Sequence, residues 1–139
     1  MVSAVRDITD GQQGRISARA KGLAKEEAAA RYLAGNGHTI LDRNFRSRYG
    51  EIDIVTRQGE FLVFVEVRYR KRSSLVTAEE SVTREKVRRL KLAVRRYLAE
   101  RGLPDAGVPI RVDLCVVRDA GPPGAGSAFE IIPGIIEFT

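Results

Sequence analysis

The 139-residue sequence has one cysteine, one histidine, one methionine and no tryptophan. A single thiol, Cys115, excludes an internal disulfide, and no Cys/His cluster offers the ligands of a structural zinc site. No apolar run approaches the ~18 residues of a membrane-spanning helix. The opening stretch MVSAVRDITDGQQGR lacks the apolar centre of a secretory signal. These absences make the cytoplasm the expected compartment and give no membrane partner. Charge, by contrast, is plentiful. Lys and Arg number 24 against 18 Asp and Glu, a net charge of +6, with a pI of about 9.9. That balance favours a polyanionic partner, nucleic acid ahead of an anionic membrane surface. A hydrophobic content of 43% fits one globular domain with a true core.

Along the chain, residues 1–14 read as a flexible tail and 15–139 as a single domain. Ala, Leu, Glu, Lys and Arg dominate Ser17–Ala34 and predict a helix, stopped by Gly35 and Gly37. Thr39–Arg46 is a short strand. In Glu51–Arg57, Ile52 and Ile54 alternate against Glu51, Asp53 and Val55, a half-buried strand. Gln58-Gly59 makes a tight turn. Phe61–Tyr69 is apolar almost throughout and reads as a central strand. The short link between these two strands demands a hairpin. After a polar loop over 70–81, Val82 to about Arg101 forms a second helix. Val87, Leu90, Val94, Tyr97 and Leu98 fall on one stripe of it. Ile110–Arg118 is a strand, 120–128 a Gly/Pro loop, and Phe129–Ile132 and Ile135–Phe138 are short terminal strands. The expected class is α/β, a mixed sheet flanked by helices.

Charge enters the central strand in one place, Glu66-Val67-Arg68. Strand period puts Leu62, Phe64, Glu66 and Arg68 on one face and Val63, Val65 and Val67 on the other. A carboxylate there is costly unless it is paired or holds a cation. Two readings stand: a plain Glu66–Arg68 pair at a strand end, or half of a cation site. The hairpin brings Asp53 beside Glu66, and two converging carboxylates suit Mg²⁺ or Mn²⁺. Equally, Asp53 and Glu51 read as solvated positions on a half-exposed strand. Glu26 shares a broad helix face with Leu23, Ala30 and Leu33, or is an ordinary surface charge.

Basic residues flank these acids. Arg43, Arg46 and Arg48 precede the acidic strand, and Arg68, Arg70, Lys71 and Arg72 follow the central one. The second helix carries Arg84, Lys86, Arg88, Arg89, Lys91, Arg95, Arg96 and Arg101 against Glu85 and Glu100. Carboxylates ringed by cations fit a phosphodiester substrate; a solvated helix face explains the second-helix charges as simply. Lys86 borders the apolar stripe, which turns it toward the sheet. His38 has no second ligand near it in sequence, and Cys115 in VDLCVV reads as a small buried residue. Asp113 shares strand parity with Arg111 and Cys115, within reach of a neighbouring arginine.

The string GEIDIVTRQGEFLVFVEVRYR, residues 50–70, strongly resembles the uncharacterised bacterial YraN-like family. EEAAARYLAGNGHTILDRNFR, SVTREKVRRL and RVDLCVV extend the likeness over residues 14–118. That family is similar to archaeal Holliday-junction resolvases of the PD-(D/E)XK nuclease superfamily. The resemblance implies a restriction-endonuclease-like αβββαβ core. It implies Asp53, Glu66 and the Val67 carbonyl as ligands of Mg²⁺ or Mn²⁺, and Glu26, Asp53, Glu66 and Arg68 as the catalytic set. It implies that Glu51 steadies the site from behind the ligands. It further implies DNA, branched DNA included, as partner, and a homodimer as working form. With the basic flanks, Arg46, Arg48, Arg70, Lys71, Arg72, Lys86, Arg88 and Arg89 become the expected nucleic-acid contacts. One position departs: Arg68 stands where the motif has lysine. The expected function is a metal-dependent DNA endonuclease hydrolysing phosphodiester bonds. The alternative is a nucleic-acid-binding module on a nuclease fold with weak or no cleavage.

Overall fold

The computed structural model describes residues 10–71, 77–103 and 107–138. Seven elements follow in the order α1 (Asp10–Ala34), β1 (Thr39–Ser47), β2 (Gly50–Gln58), β3 (Phe61–Arg70), α2 (Arg84–Glu100), β4 (Ile110–Asp119) and β5 (Ser127–Ile132). The strands form one five-stranded sheet in sequence order. The β3–β4 pair is parallel and the others antiparallel, so the sheet is mixed and α2 is the crossover between β3 and β4. The α/β class and the αβββαβ order expected from the sequence are both present, with β5 added at the edge. Among the described residues no helix is long and apolar enough to cross a membrane.

α1 starts earlier than the predicted Ser17 and takes in residues 10–14 of the expected tail; residues 1–9 lie outside the described residues. Among its described side chains Ala29, Ala30 and Leu33 are buried, and they pack on Ile54, Val63, Val65, Cys115 and Val117. The small side chains let the helix lie close to the sheet. α2 begins at the Thr83 cap, whose hydroxyl accepts the Lys86 N–H. It buries Leu90, Ala93, Val94, Tyr97 and Leu98 against Ile52, Val55, Leu62, Phe64 and Val112. Tyr97 sits edge-on to both Phe45 and Phe64, at ring distances of 5.1 and 5.4 Å. Truncating Phe64 to alanine would cost about 3–5 kcal/mol, because the ring is fully buried and its removal leaves a cavity beneath the helix.

Two expectations need correction. Ile52 and Ile54 do not share a face: Ile52 packs under α2 and Ile54 under α1. The alternation breaks at Asp53, between the Arg43–Ile54 and Phe45–Ile52 pairs, where β1 contributes Asn44 with a left-handed φ of 53°. Ile135–Phe138 is not a strand. Pro133-Gly134 turns the chain off the sheet, and the Ile135 amide bonds the Val112 carbonyl at 2.8 Å. Ile135, Ile136 and Phe138 then pack against the core under α2. Their apolarity serves a hydrophobic plug instead of a sixth strand.

Candidate functional site

The site grows out of a fork in the sheet. β2 and β3 pair from Ile54–Val65 to Gln58–Phe61. Beyond Ile54 they part. β2 stays with β1 as far as Gly50 opposite Ser47, while β3 stays with β4 as far as Arg70 opposite Arg118. The Asp53 carboxylate fills the opening: its Oδ2 accepts the Val67 N–H at 2.8 Å. Strand β3 delivers Glu66 beside it. Asp53 and Glu66 are 8% and 4% exposed, so two acids are held where water barely reaches them. At the start of β2, Gly50 takes φ +153°, a backbone state that favours glycine, and faces Arg89 of α2.

Burial sets the electrostatics. Desolvation, followed by the charge of Asp53, pushes the Glu66 carboxyl up to about 7, against the pull of Lys86 and Arg68. Asp53 is raised too, chiefly by burial, with the Val67 N–H opposing. The two cations converge on one oxygen, Arg68 Nε at 3.3 Å and Lys86 Nζ at 3.4 Å from Glu66 Oε1. Glu66 Oε2 is buried without a hydrogen-bond partner, and so is Glu26 Oε2. Glu26 is half-buried on α1, its carboxyl raised by burial and by the charges of Asp53 and Glu51. Asn44 and Arg43 pull it the other way, so the left-handed residue of β1 also serves Glu26.

A hard cation suits this donor set. Mg²⁺ keeps several waters and takes one or two carboxylates. The orphaned Glu66 oxygen and the Asp53 carboxylate offer that much. Among the described residues no three Asp, Glu, His or Cys side chains form a closed metal cage. A cation held by these two carboxylates alone would take its remaining ligands from water.

The other expected residues spread around this centre. Glu51 is exposed, paired with Arg46 at 3.4 Å, and touches the site only through its charge. Arg48 stacks over the Tyr49 ring at 5.0 Å. Arg88 and Arg89 are exposed on α2 and share Glu85. With Ser47, Arg48, Tyr49, Gly50 and Leu92 they line a cleft of about 340 Å³. Arg70 is half-buried with its Nε unpartnered, and Lys71 is exposed. Arg72 lies outside the described residues. Lys86 does not belong with the outward-facing cations: it turns in to Glu66. Its position four residues before Leu90 was the signal, since that spacing continues the buried stripe.

A second polar cluster lies on the α1 side and is structural. Arg111 donates from Nε and Nη2 to the two oxygens of the fully buried Asp113, at 2.8 and 3.0 Å, and the Gly134 N–H adds a third bond. His38 Nδ1 and Thr56 Oγ1 are 2.7 Å apart, and burial pushes the imidazole pKa down. Cys115 is fully buried, its thiol pushed up to about 12 by desolvation, which suits an inert core residue.

These features define an α/β protein with a buried acid pair in a sheet fork, flanked by cations from a strand and a helix. The chain belongs to the uncharacterised protein family UPF0102, whose profile matches residues 25–117. Glu26, Asp53, Glu66, Arg68 and Lys86 all fall inside that span. A UPF0102 protein of Lachnoclostridium phytofermentans is 43% identical over 102 residues, 73% of this chain and 86% of its own length. One from Hahella chejuensis is 40% identical over 112 residues, covering 81% and 86%. One from Dechloromonas aromatica is 49% identical over 100 residues, covering 72% and 79%.

Proposed function

We propose that this protein is a Mg²⁺- or Mn²⁺-dependent DNA endonuclease of the PD-(D/E)XK type, acting on branched or otherwise structured DNA. The observation that carries this reading is the buried Asp53–Glu66 pair with an unsatisfied Glu66 oxygen. Arg68 and Lys86 meet one Glu66 oxygen and leave the other, beside Asp53, buried without a partner, a cost that a bound cation would offset. When bound, the divalent ion supplies Lewis acidity toward the phosphate and makes a water more acidic. Asp53, Glu66 and the Val67 carbonyl would hold it. Arg46, Arg48, Arg70, Lys71, Arg72, Arg88 and Arg89 hold the flanking phosphates, and Glu26 borders the site from α1. A homodimer would place two such sites for paired cuts in a two-fold substrate. The cytoplasm is the matching compartment.

A binding module with weak cleavage is the second reading, and one observation favours it: β3 carries Arg68, a cation that stays charged and cannot relay a proton. The test is a cleavage assay on a panel of linear and branched DNAs with Mg²⁺ or Mn²⁺. Cutting that vanishes in Asp53→Ala supports the nuclease. Salt-sensitive binding of the same panel with no Asp53-dependent cutting leaves the binding module.

A further inference from the structure

Lys86 is set in place by local sequence. The Thr83 hydroxyl caps α2 by accepting the Lys86 N–H at 3.1 Å, fixing the first helical turn at this residue. From there Lys86, Leu90, Val94 and Leu98 run at four-residue spacing along the face that meets the sheet. The Lys86 side chain is only 29% exposed, against 64% and 60% for Arg88 and Arg89. Its ammonium ends 3.4 Å from Glu66 Oε1. Arg68 reaches the same oxygen from β3, but its Nε makes no aligned hydrogen bond there. The acid pair therefore has a lysine beside it after all, delivered by a different element from the one carrying Glu66.

We propose that Lys86 is the catalytic lysine of this site: its ammonium, reaching in from α2, contacts the phosphate undergoing hydrolysis in place of a lysine at position 68. The proposal rests on the nuclease reading above. In the reaction a water oxygen forms a new bond to phosphorus, and the bond from phosphorus to the departing sugar oxygen breaks. The proton lost by the water is released to solvent, and the departing oxygen takes one up. Lys86 forms and breaks no covalent bond. Its three donors allow it to keep Glu66 while also binding a non-bridging phosphate oxygen, whose negative charge grows in the transition state. The planar Arg68 fork, anchored on the strand, supplies background charge.

The test compares wild type, Lys86→Met, and Lys86→Met with Arg68→Lys in the full chain, after thermal melting confirms that each folds. Calorimetry with Mn²⁺ alone reads the electrostatics. Removing a positive charge beside Glu66 should tighten Mn²⁺ binding by about three- to tenfold. Single-turnover cleavage with Mn²⁺ should fall by about 10²–10³-fold in Lys86→Met. Arg68→Lys in that background should restore about tenfold or more, since it returns an ammonium to the same carboxylates. Tighter metal with slower cutting, rescued from β3, is a pattern that a purely structural lysine cannot give. Cleavage by Lys86→Met within about twofold of wild type would overturn the proposal, as would joint loss of metal and rate without rescue. If wild type cuts no substrate, the nuclease reading fails by itself. Affinity for the same DNA in Ca²⁺ then decides Lys86: a loss of about threefold or more in Lys86→Met supports its phosphate contact, and unchanged affinity overturns it.

Discussion

Glu66→Gln separates burial from ion pairing at the acid pair. The substitution keeps the volume of the side chain and removes its ionisation. Glu66 titrates near 7 in the fold against an ordinary 4.5, with burial as the main cause. A carboxyl raised on folding contributes stability that is fully present below about pH 4.5 and lost as pH rises through about 7. At about 1.4 kcal/mol per pH unit, the whole loss is about 3 kcal/mol. Glutamine does not undergo it. In EDTA, urea unfolding should therefore give similar stabilities for wild type and Glu66→Gln near pH 5. By pH 8 the variant should lead by up to about 3 kcal/mol, roughly 10 °C in melting temperature. Mn²⁺ should reverse the order at pH 8. A cation at a thousand times its Kd stabilises wild type by about 4.1 kcal/mol and finds no charged Glu66 in the variant. Asp53, also raised by burial, leaves a slope of the same sign in both proteins. The reasoning fails if Glu66→Gln is the less stable protein at pH 8 in EDTA. A deficit of about 3–5 kcal/mol would mean that the contacts from Arg68 and Lys86 outweigh desolvation, so that the site is a stability device.

Three further outcomes are expected. Replacing Arg70, Lys71 and Arg72 with alanine should flatten the log–log salt dependence of duplex binding by about 0.9 for each phosphate no longer neutralised; an unchanged slope in fluorescence titrations would assign these residues to solvent. Asp113→Ala should destabilise by about 3–5 kcal/mol in denaturant, because it strands the half-buried Arg111 guanidinium and the Gly134 amide; a loss under 1 kcal/mol would show that water replaces the carboxylate. Asp53→Asn should keep the fold, since an amide oxygen can still accept the Val67 N–H, and should abolish Mn²⁺ binding by calorimetry; retained binding would remove Asp53 from the site.

The placement of the acid pair was legible in strand parity, while its reading as a cation site came from the family resemblance. Glu66 shares a face with Phe64, and a two-residue turn forces Asp53 back toward it. Asp113 was likewise readable as an arginine partner from its parity with Arg111. The face of Ile54 was not, because the break at Asp53 depends on two strands parting and on a left-handed Asn44. Nothing in the local pattern of β2 announces either. Glu26 stayed ambiguous for a different reason: with so many alanines, α1 has several faces that could pass for the buried one. Ile135–Phe138 misled through composition, since an apolar run after Pro-Gly serves a plug as well as a strand. Lys86 shows the limit most clearly. Its spacing pointed inward, while its charge grouped it with the outward-facing arginines of α2.

The fork also fixes an order of assembly. Asp53 and Val67 lie 14 residues apart and are joined within one hairpin, a unit that closes in about 1–10 μs. The parallel β3–β4 pairing must wait for the whole α2 crossover to be threaded, a far longer loop. The two carboxylates therefore meet while still hydrated, and the dehydration that sets them against each other comes only when α2 and β4 dock. The unfavourable charge of the site is thus loaded onto the late step of folding, when α2 closes over the pair.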